Sequence, residues 1–479
     1  MGILANLEPK PVFRFFEEIC AIPHGSGNTK AISDYLVKFA KERGLDYRQD
    51  SQGNVIIFKE GSPGYEEKEP IMLQGHMDMV AVKTPESTHD LSKEGLRLMV
   101  EGDNILAEDT SLGGDDGIAV AYELALLDAK DIKHPPLECI FTVDEEIGLL
   151  GAAAIDLSDC KARRMLNLDS EEEGIFLTGC AGGMRVDCSL PLKREEVQGI
   201  SCKIHIGGLL GGHSGMEIHK GRANANVLAG RFLLFAEDKV TYRLLAIKGG
   251  LADNAIPREA EINLVVADPF ALELAIKEFD SILKQEYMTK DPGIFCRFGE
   301  FEPGSFNTLT LEESKKAAIL IACLPAGVQA YSADVEGLVE TSLNLGLMDS
   351  SEEVLSLGFS LRSSFESAKE GLRRQLFALT QGLGGSCRMS GSYPGWAYRK
   401  DSPLRDKLIE VYEKMYGKQP EIQAVHAGLE CGFFLEKIPE LDCISLGPDM
   451  KNIHTTEESM SISSAGRTWE FLCRILEEI

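Results

Sequence analysis

An α/β domain built on a mostly parallel sheet, interrupted by an inserted α+β block, is the fold class that the 479-residue sequence predicts. Three observations carry it. Short apolar runs alternate with helical periodicity up to Asp169, a glycine-rich stretch and a clean period of two occupy the middle, and strand-then-helix character resumes towards the carboxyl end. Strands that alternate with helices are read as parallel, because a crossover helix returns the chain to run in the same direction.

In chain order, Pro11–Arg43 reads as two helices. Asn54–Phe58 (NVIIF), Ile71–Leu73 (IML), Leu137–Val143 (LECIFTV) and Met165–Leu168 (MLNL) read as strands, bounded by polar or turn residues. Gly117–Lys130 (GIAVAYELALLDAK) has the composition of a buried helix. After Leu192 the character changes. Cys202–Ile206 predicts a strand, Gly207–Gly215 a glycine-rich turn, Asn224–Glu237 a helix and Glu261–Val266 a further strand. Leu355, Leu357, Phe359 and Leu361 alternate with Ser356, Gly358, Ser360 and Arg362, so one face of that strand is buried. Gly382–Gly395, rich in Gly and Ser and containing Pro394, reads as the return connection, and Asp442–Leu446 with a terminal helix completes the chain. The length exceeds what one hydrophobic core usually serves. The predicted organisation is an α/β domain from 1–198 and 388–479 around an insert at 199–387.

Lys and Arg number 49 against 76 Asp and Glu, a formal net charge of −27. Such a surface repels polyanions, which argues against nucleic acid and anionic membranes as partners. No apolar run reaches the roughly 18–20 residues needed to cross a bilayer; Ala317–Ala330 is among the longest and contains Pro325. The segment from Met1 to Phe13 has no basic then apolar signal pattern, and the twelve cysteines form no CxxC pair. A reducing cytoplasm is the expected location.

Four acidic or imidazole clusters each follow a predicted strand or open a helix: His76-Met77-Asp78, Asp115-Asp116 after Gly113-Gly114, Asp144-Glu145-Glu146, and Asp169. Ligands of open α/β sheets collect at the carboxyl ends of strands, where these clusters fall. In an extended segment His76 and Asp78 share a side, so Asp78 is placed to orient the imidazole. Taken singly, each has a plainer use: a surface HxD, a helix cap, a solvated loop. Together, Asp78, Asp115, Glu145, Glu146 and Asp169 in one pocket would repel one another, and divalent cations would relieve that. Mixed imidazole and carboxylate donors suit zinc, manganese or cobalt. In the adjacent Glu145-Glu146 pair, one carboxylate could face a metal and the other a water.

GHMDMV, GGDDG, DEEIGLLGA, NLDSEE and GGHSG, in this order, resemble the cocatalytic dizinc dipeptidases, carboxypeptidases and aminoacylases, and most of all the aminoacylhistidine (Xaa-His) dipeptidases. GGHSGMEIHKGRANAN, YPGWAYRKDSP and HAGLECG extend the likeness over nearly the whole chain. The resemblance implies a phosphorylase/hydrolase-like α/β catalytic domain with an inserted lid, and two Zn²⁺ per chain with Mn²⁺ or Co²⁺ as alternatives. It implies metal ligands at His76, Asp115 (bridging), Glu146, Asp169 and His454, an orienting Asp78, and Glu145 as general base. His213 would donate to the oxyanion from the lid, and the length of the insert favours its acting within its own chain. Asn254 and Arg362 resemble substrate-binding positions, and Glu430 could hold the ammonium of a dipeptide. The implied activity is hydrolysis of Xaa-His dipeptides, β-alanyl-histidine included. A broader dipeptidase or tripeptidase, an aminoacylase, and a non-catalytic metal- or peptide-binding protein are the other readings. The presence of Glu145 favours an enzyme. Small peptides are the expected partners, and a homodimer is left open.

Overall fold

The computed structural model describes residues 2–479 and divides into two compact units. The first comprises residues up to Gly179 with Tyr398–Ala424 and Leu429–Ile479; the second comprises Cys180–Ala397 and Val425–Gly428.

The first unit is built on an eight-stranded mixed sheet. Its four central strands, Leu137–Thr142, Ile71–His76, Arg164–Asn167 and Asp442–Ser445, run parallel. Val55–Lys59 and Asp46–Gln49 on one side, and Ile175–Cys180 on the other, are antiparallel. Parallel pairing is thus confined to the centre, where both faces are covered and the strands Ile71–His76 and Leu137–Thr142 are buried at every residue. Helix Gly114–Asp128 is buried along almost its whole length, which its apolar composition demands. Helix Lys10–Cys20 packs against it through a stripe that includes Val12, Phe16 and Ile19.

One close approach positions the site. A Cβ on Gly75 would fall 2.4 Å from the Ala119 Cβ and 2.7 Å from Asp116 Oδ2, so only glycine lets the strand and the helix meet here. That contact brings the acids at the start of the helix to the end of the strand that carries His76.

The second unit is a nine-stranded sheet of antiparallel pairs. Helices Ala225–Glu237, Pro269–Tyr287, Leu311–Cys323 and Glu366–Gly382 supply Phe232, Phe279, Leu320 and Leu376 to its core. The period of two at 355–361 is realised in strand Val354–Ser363, with Leu355, Leu357, Phe359 and Leu361 buried. Two elements lie elsewhere than the sequence predicts. Strand Gly182–Pro191 pairs with Val354–Ser363, so this unit begins at Cys180. Ser386–Tyr393, expected to be a connection, is a strand on the far side of Gly182–Pro191, and the unit runs on to Ala397. It is an edge strand exposed along most of its length and carries no apolar alternation for a periodicity argument to detect. Among the described residues, no helix is long and apolar enough to cross a membrane.

Candidate metal-binding and catalytic site

His76 is the last residue of its strand and is almost completely buried. Its Nε2 lies 3.0 Å from Asp115 Oδ1 and 3.7 Å from Asp169 Oδ1. On the other side, Nδ1 lies 2.9 Å from the backbone carbonyl oxygen of Asp78. A carbonyl oxygen accepts only, so Nδ1 carries a proton and Nε2 is the nitrogen turned towards the acids. The Asp78 carboxylate is 3.6 Å from Nδ1. It accepts instead from Ser26 Oγ (2.8 Å) and from the backbone N–H groups of Glu145 (3.0 Å) and Glu146 (3.4 Å). The strand ends at His76, so the two-residue alternation does not extend to Asp78, whose side chain ties down the loop holding both glutamates.

Asp115 stands between two imidazoles. Its Oδ1 faces His76, and its Oδ2 is 3.1 Å from His454 Nε2, which is also 3.0 Å from Glu146 Oε1. The neighbouring Asp116 faces the strand: its Oδ2 accepts the backbone N–H of His76 at 3.2 Å, its buried Oδ1 has no hydrogen-bond partner, and the carboxylate lies close to His76 and Asp169. Asp144 (φ 54°) and His454 (φ 61°) both hold left-handed backbone conformations. Such strain costs about 1–3 kcal/mol per residue and tends to collect at functional sites.

The turn that presents Asp115 depends on a residue for which the sequence gives no signal. Glu458, 3% exposed, accepts the backbone N–H groups of Leu112 (2.8 Å), Gly113 (3.0 Å) and Gly114 (2.8 Å). It sits in a run of polar residues with nothing local to mark it as buried. Replacing Glu458 with Gln removes the charge and one acceptor oxygen while keeping the shape. The expected loss of stability is about 1–3 kcal/mol. Metal retention should fall with it; thermal unfolding and metal content measured on the same preparation would check both.

The electrostatics are those of acids and imidazoles crowded into one largely buried place. Burial pushes Glu145 up to about 8, with His76 opposing and Glu430 and Glu146 reinforcing the rise. Burial likewise takes Glu171 and Glu430 to about 7, and Asp116 and Asp169 well above the carboxylate range. Burial disfavours a charged His76, but Asp115, Asp78 and Asp169 outweigh it and hold the imidazole well above its ordinary value. Hydrogen bonds to Asp115 and Glu146 raise His454 to about 10. Three sets of donor atoms lie within 4.8 Å of one another: His76 with Asp116 and Asp169, His76 with Glu145 and Glu146, and Asp115 with Glu146 and His454. Acids and imidazoles packed this closely cannot all carry their ordinary charges unaided, and a mixed imidazole and carboxylate donor set of this kind fits metal ions.

Glu430 belongs to the same unit but is wholly buried. Its Oε2 accepts from Gln74 Nε2 (2.6 Å) and Thr142 Oγ1 (2.7 Å) on the central strands, and its buried Oε1 has no hydrogen-bond partner.

The second unit gathers His213, Arg362 and Tyr393 with His426, whose role the sequence reading leaves unassigned. His213 Nδ1 accepts the backbone N–H groups of Gly215 (3.2 Å) and Met216 (3.1 Å). An accepting Nδ1 puts the ring proton on Nε2, and burial together with the Arg362 charge holds the pKa below the ordinary histidine value. His213 is thus a neutral imidazole with one donor to offer. Arg362 is buried rather than solvated and donates from Nη1 to the Tyr393 hydroxyl at 3.1 Å. His426 Nε2 is 2.7 Å from Ser342 Oγ. Asn254 is exposed beside the His213 turn, its carbonyl accepting the Ser214 N–H at 2.8 Å.

Imidazoles and carboxylates crowded at the carboxyl ends of parallel strands are the mark of metal-dependent hydrolases. Comparison with known proteins narrows that class. The pattern of peptidase family M20/M25/M40 matches residues 72–478, and the chain belongs to that family: it is a metallopeptidase. The cytosol non-specific dipeptidase of Escherichia coli (strain K12) is 36% identical over 484 residues, covering 100% of this chain and 99% of the relative. The crystal structure of aminoacylhistidine dipeptidase from Vibrio alginolyticus has a TM-score of 0.95 at 35% identity, over 100% of this chain and 98% of that one. Aminopeptidase PepT from Bacillus cereus ATCC 10987, at 16% identity and a TM-score of 0.56 over 98% and 99% of the two chains, shares the fold.

Proposed function

We propose that the chain is a cytoplasmic dizinc dipeptidase that hydrolyses Xaa-His dipeptides, β-alanyl-histidine among them. The observation that carries this is the Asp115 carboxylate set between His76 and His454, with Glu145 and Glu146 beside it. The names of the two full-length relatives support dipeptides as the substrate class and the cytosol as the location.

His76 and Asp169 would hold one ion, Glu146 and His454 the other, and Asp115 both. Manganese or cobalt would suit the same donors. The ions would supply Lewis acidity towards the scissile carbonyl and make a water more acidic. Asp78 keeps Glu145 and Glu146 in place through their backbone N–H groups. Glu145 takes the proton of the attacking water and passes it to the leaving amine. His213 donates from Nε2 to the developing oxyanion, and its neutrality fixes which nitrogen holds that proton. Arg362 offers its guanidinium to the substrate carboxylate, Asn254 a side-chain amide, and Glu430 a single free oxygen to the ammonium.

Replacing His213 with Ala should lower kcat about 10²–10³-fold with a far smaller change in KM, since an oxyanion donor acts mainly in the transition state. Steady-state kinetics, with metal content confirmed unchanged, would check it; a loss carried by KM alone speaks against the role.

The function itself is tested by metal analysis followed by a panel of Xaa-His, Xaa-Leu and N-acetyl substrates. Two metal equivalents per chain, loss of activity on chelation, rescue by zinc, manganese or cobalt, and cleavage of Xaa-His are expected. Equal rates on Xaa-His and Xaa-Leu would favour the broad specificity in the name of the Escherichia coli relative. Cleavage of N-acetyl amino acids but not of free dipeptides would overturn the dipeptidase reading in favour of an aminoacylase.

A further inference from the structure

Cys188 and Cys387 face each other across neighbouring antiparallel strands. They are direct register partners in the pairing of Gly182–Pro191 with Ser386–Tyr393, so their side chains leave the sheet on the same face. Opposed residues in such a pair have Cα atoms roughly 4.5–5.5 Å apart, inside the roughly 4.4–6.8 Å that a disulfide spans. Their sulfur atoms are 3.1 Å apart, closer than any other contact recorded for either thiol. The two differ in access: Cys188 is fully buried, whereas Cys387 is half-buried on the edge strand.

We propose that Cys188 and Cys387 are an oxidation site, a dithiol that peroxides convert to a disulfide and thiols restore. The Cys387 thiolate attacks one oxygen of hydrogen peroxide, giving a sulfenic acid and, with a proton, water. Cys188 sulfur then attacks the Cys387 sulfur, its thiol proton leaves with the hydroxyl as a second water, and the S–S bond forms. Two thiols lose two electrons and two protons, and one peroxide becomes two waters. Half-burial lets the peroxide reach Cys387 first, and the register places the resolving thiol within reach. Thiol pairs of this kind in reducing compartments serve as reversible sensors rather than fixed staples.

The bond would have a mechanical consequence. Strand Ser386–Tyr393 is an exposed edge, held by one neighbouring strand. Its last residue, Tyr393, accepts from Arg362 through its hydroxyl and from Lys369 Nζ (2.7 Å) through its carbonyl. A covalent tie at Cys387 would fix the strand that carries these contacts.

The test is a hydrogen peroxide titration of the full-length, metal-loaded protein, followed by peptide mapping without reduction. The expected result is a linked peptide joining Cys188 to Cys387, its loss on treatment with dithiothreitol, and slower hydrogen exchange across 386–393 in the oxidised form. Cys323, which is exposed, reports whether oxidant has reached the protein. The Cys188→Ser variant should accumulate a dimedone-reactive sulfenic acid at Cys387, and Cys387→Ser should leave Cys188 reduced. Oxidation of Cys323 with no Cys188–Cys387 peptide would overturn the proposal, as would a linked peptide that forms only after the protein is unfolded.

Discussion

Replacing Glu145 with Gln should leave a folded, metal-loaded protein whose kcat is lower by about 10²–10⁴-fold, the range that a positioned general base supplies. Glutamine keeps the size and the backbone of the loop, so the N–H bonds from residues 145 and 146 to Asp78 survive. What it removes is the group able to take a proton. Burial already favours a proton on Glu145, as expected of a carboxylate whose task is to accept one and release it. The same burial favours an uncharged group at this position, so a neutral amide of the same size is accommodated there. Thermal stability should therefore hold while turnover collapses, a combination that no general loss of structure produces. Kinetics, metal content and thermal unfolding on one preparation would decide; activity within tenfold of wild type would sink the assignment.

Asp115→Ala should have an effect of comparable size by another route. His76 and His454 would each lose the carboxylate they share, and one substitution would disturb both proposed ion positions at once. Metal content should drop well below the wild-type level, and activity should fall by about 10³-fold, equivalent to about 4 kcal/mol. Asp116→Asn is the matched control. Asp116 Oδ2 already accepts the His76 backbone N–H, so the substitution should change strand-to-helix packing more than metal binding. A full metal complement in Asp115→Ala with a large loss in Asp116→Asn would exchange the two roles.

The legibility of the site varied with how local its determinants are. His76, the Asp115-Asp116 pair, Glu145, Glu146 and Asp169 each follow a strand or open a helix, and their convergence follows from the rule that parallel strands deliver their carboxyl ends to one edge. The structure brings all of them together. His454 meets Asp115 across 339 positions and lies in a loop with no periodicity; a family resemblance pointed to it, and no local pattern did. Glu458 had no signal of either kind, because it accepts the backbone N–H groups of a turn more than 340 positions away, that of Asp115 among them at 3.4 Å. Asp78 lies beside the His76 Nδ1 as the reading placed it, and its further contacts, to Ser26 and to the backbone N–H groups of Glu145 and Glu146, come from the loop that follows the strand, which ends two residues earlier.

The sequence by itself determined the class of fold, the strand-by-strand order of the acids and the strongly negative net charge. Each of these rests on period, composition or charge, which are properties of neighbouring residues. Only the tertiary structure decided which oxygen of Asp115 faces which imidazole, which nitrogen of His213 carries its proton, and that Ser386–Tyr393 closes a sheet edge opposite Cys188. These depend on where the chain returns to itself, and a hydrogen bond is set by distance and direction between atoms, which residue order does not encode locally.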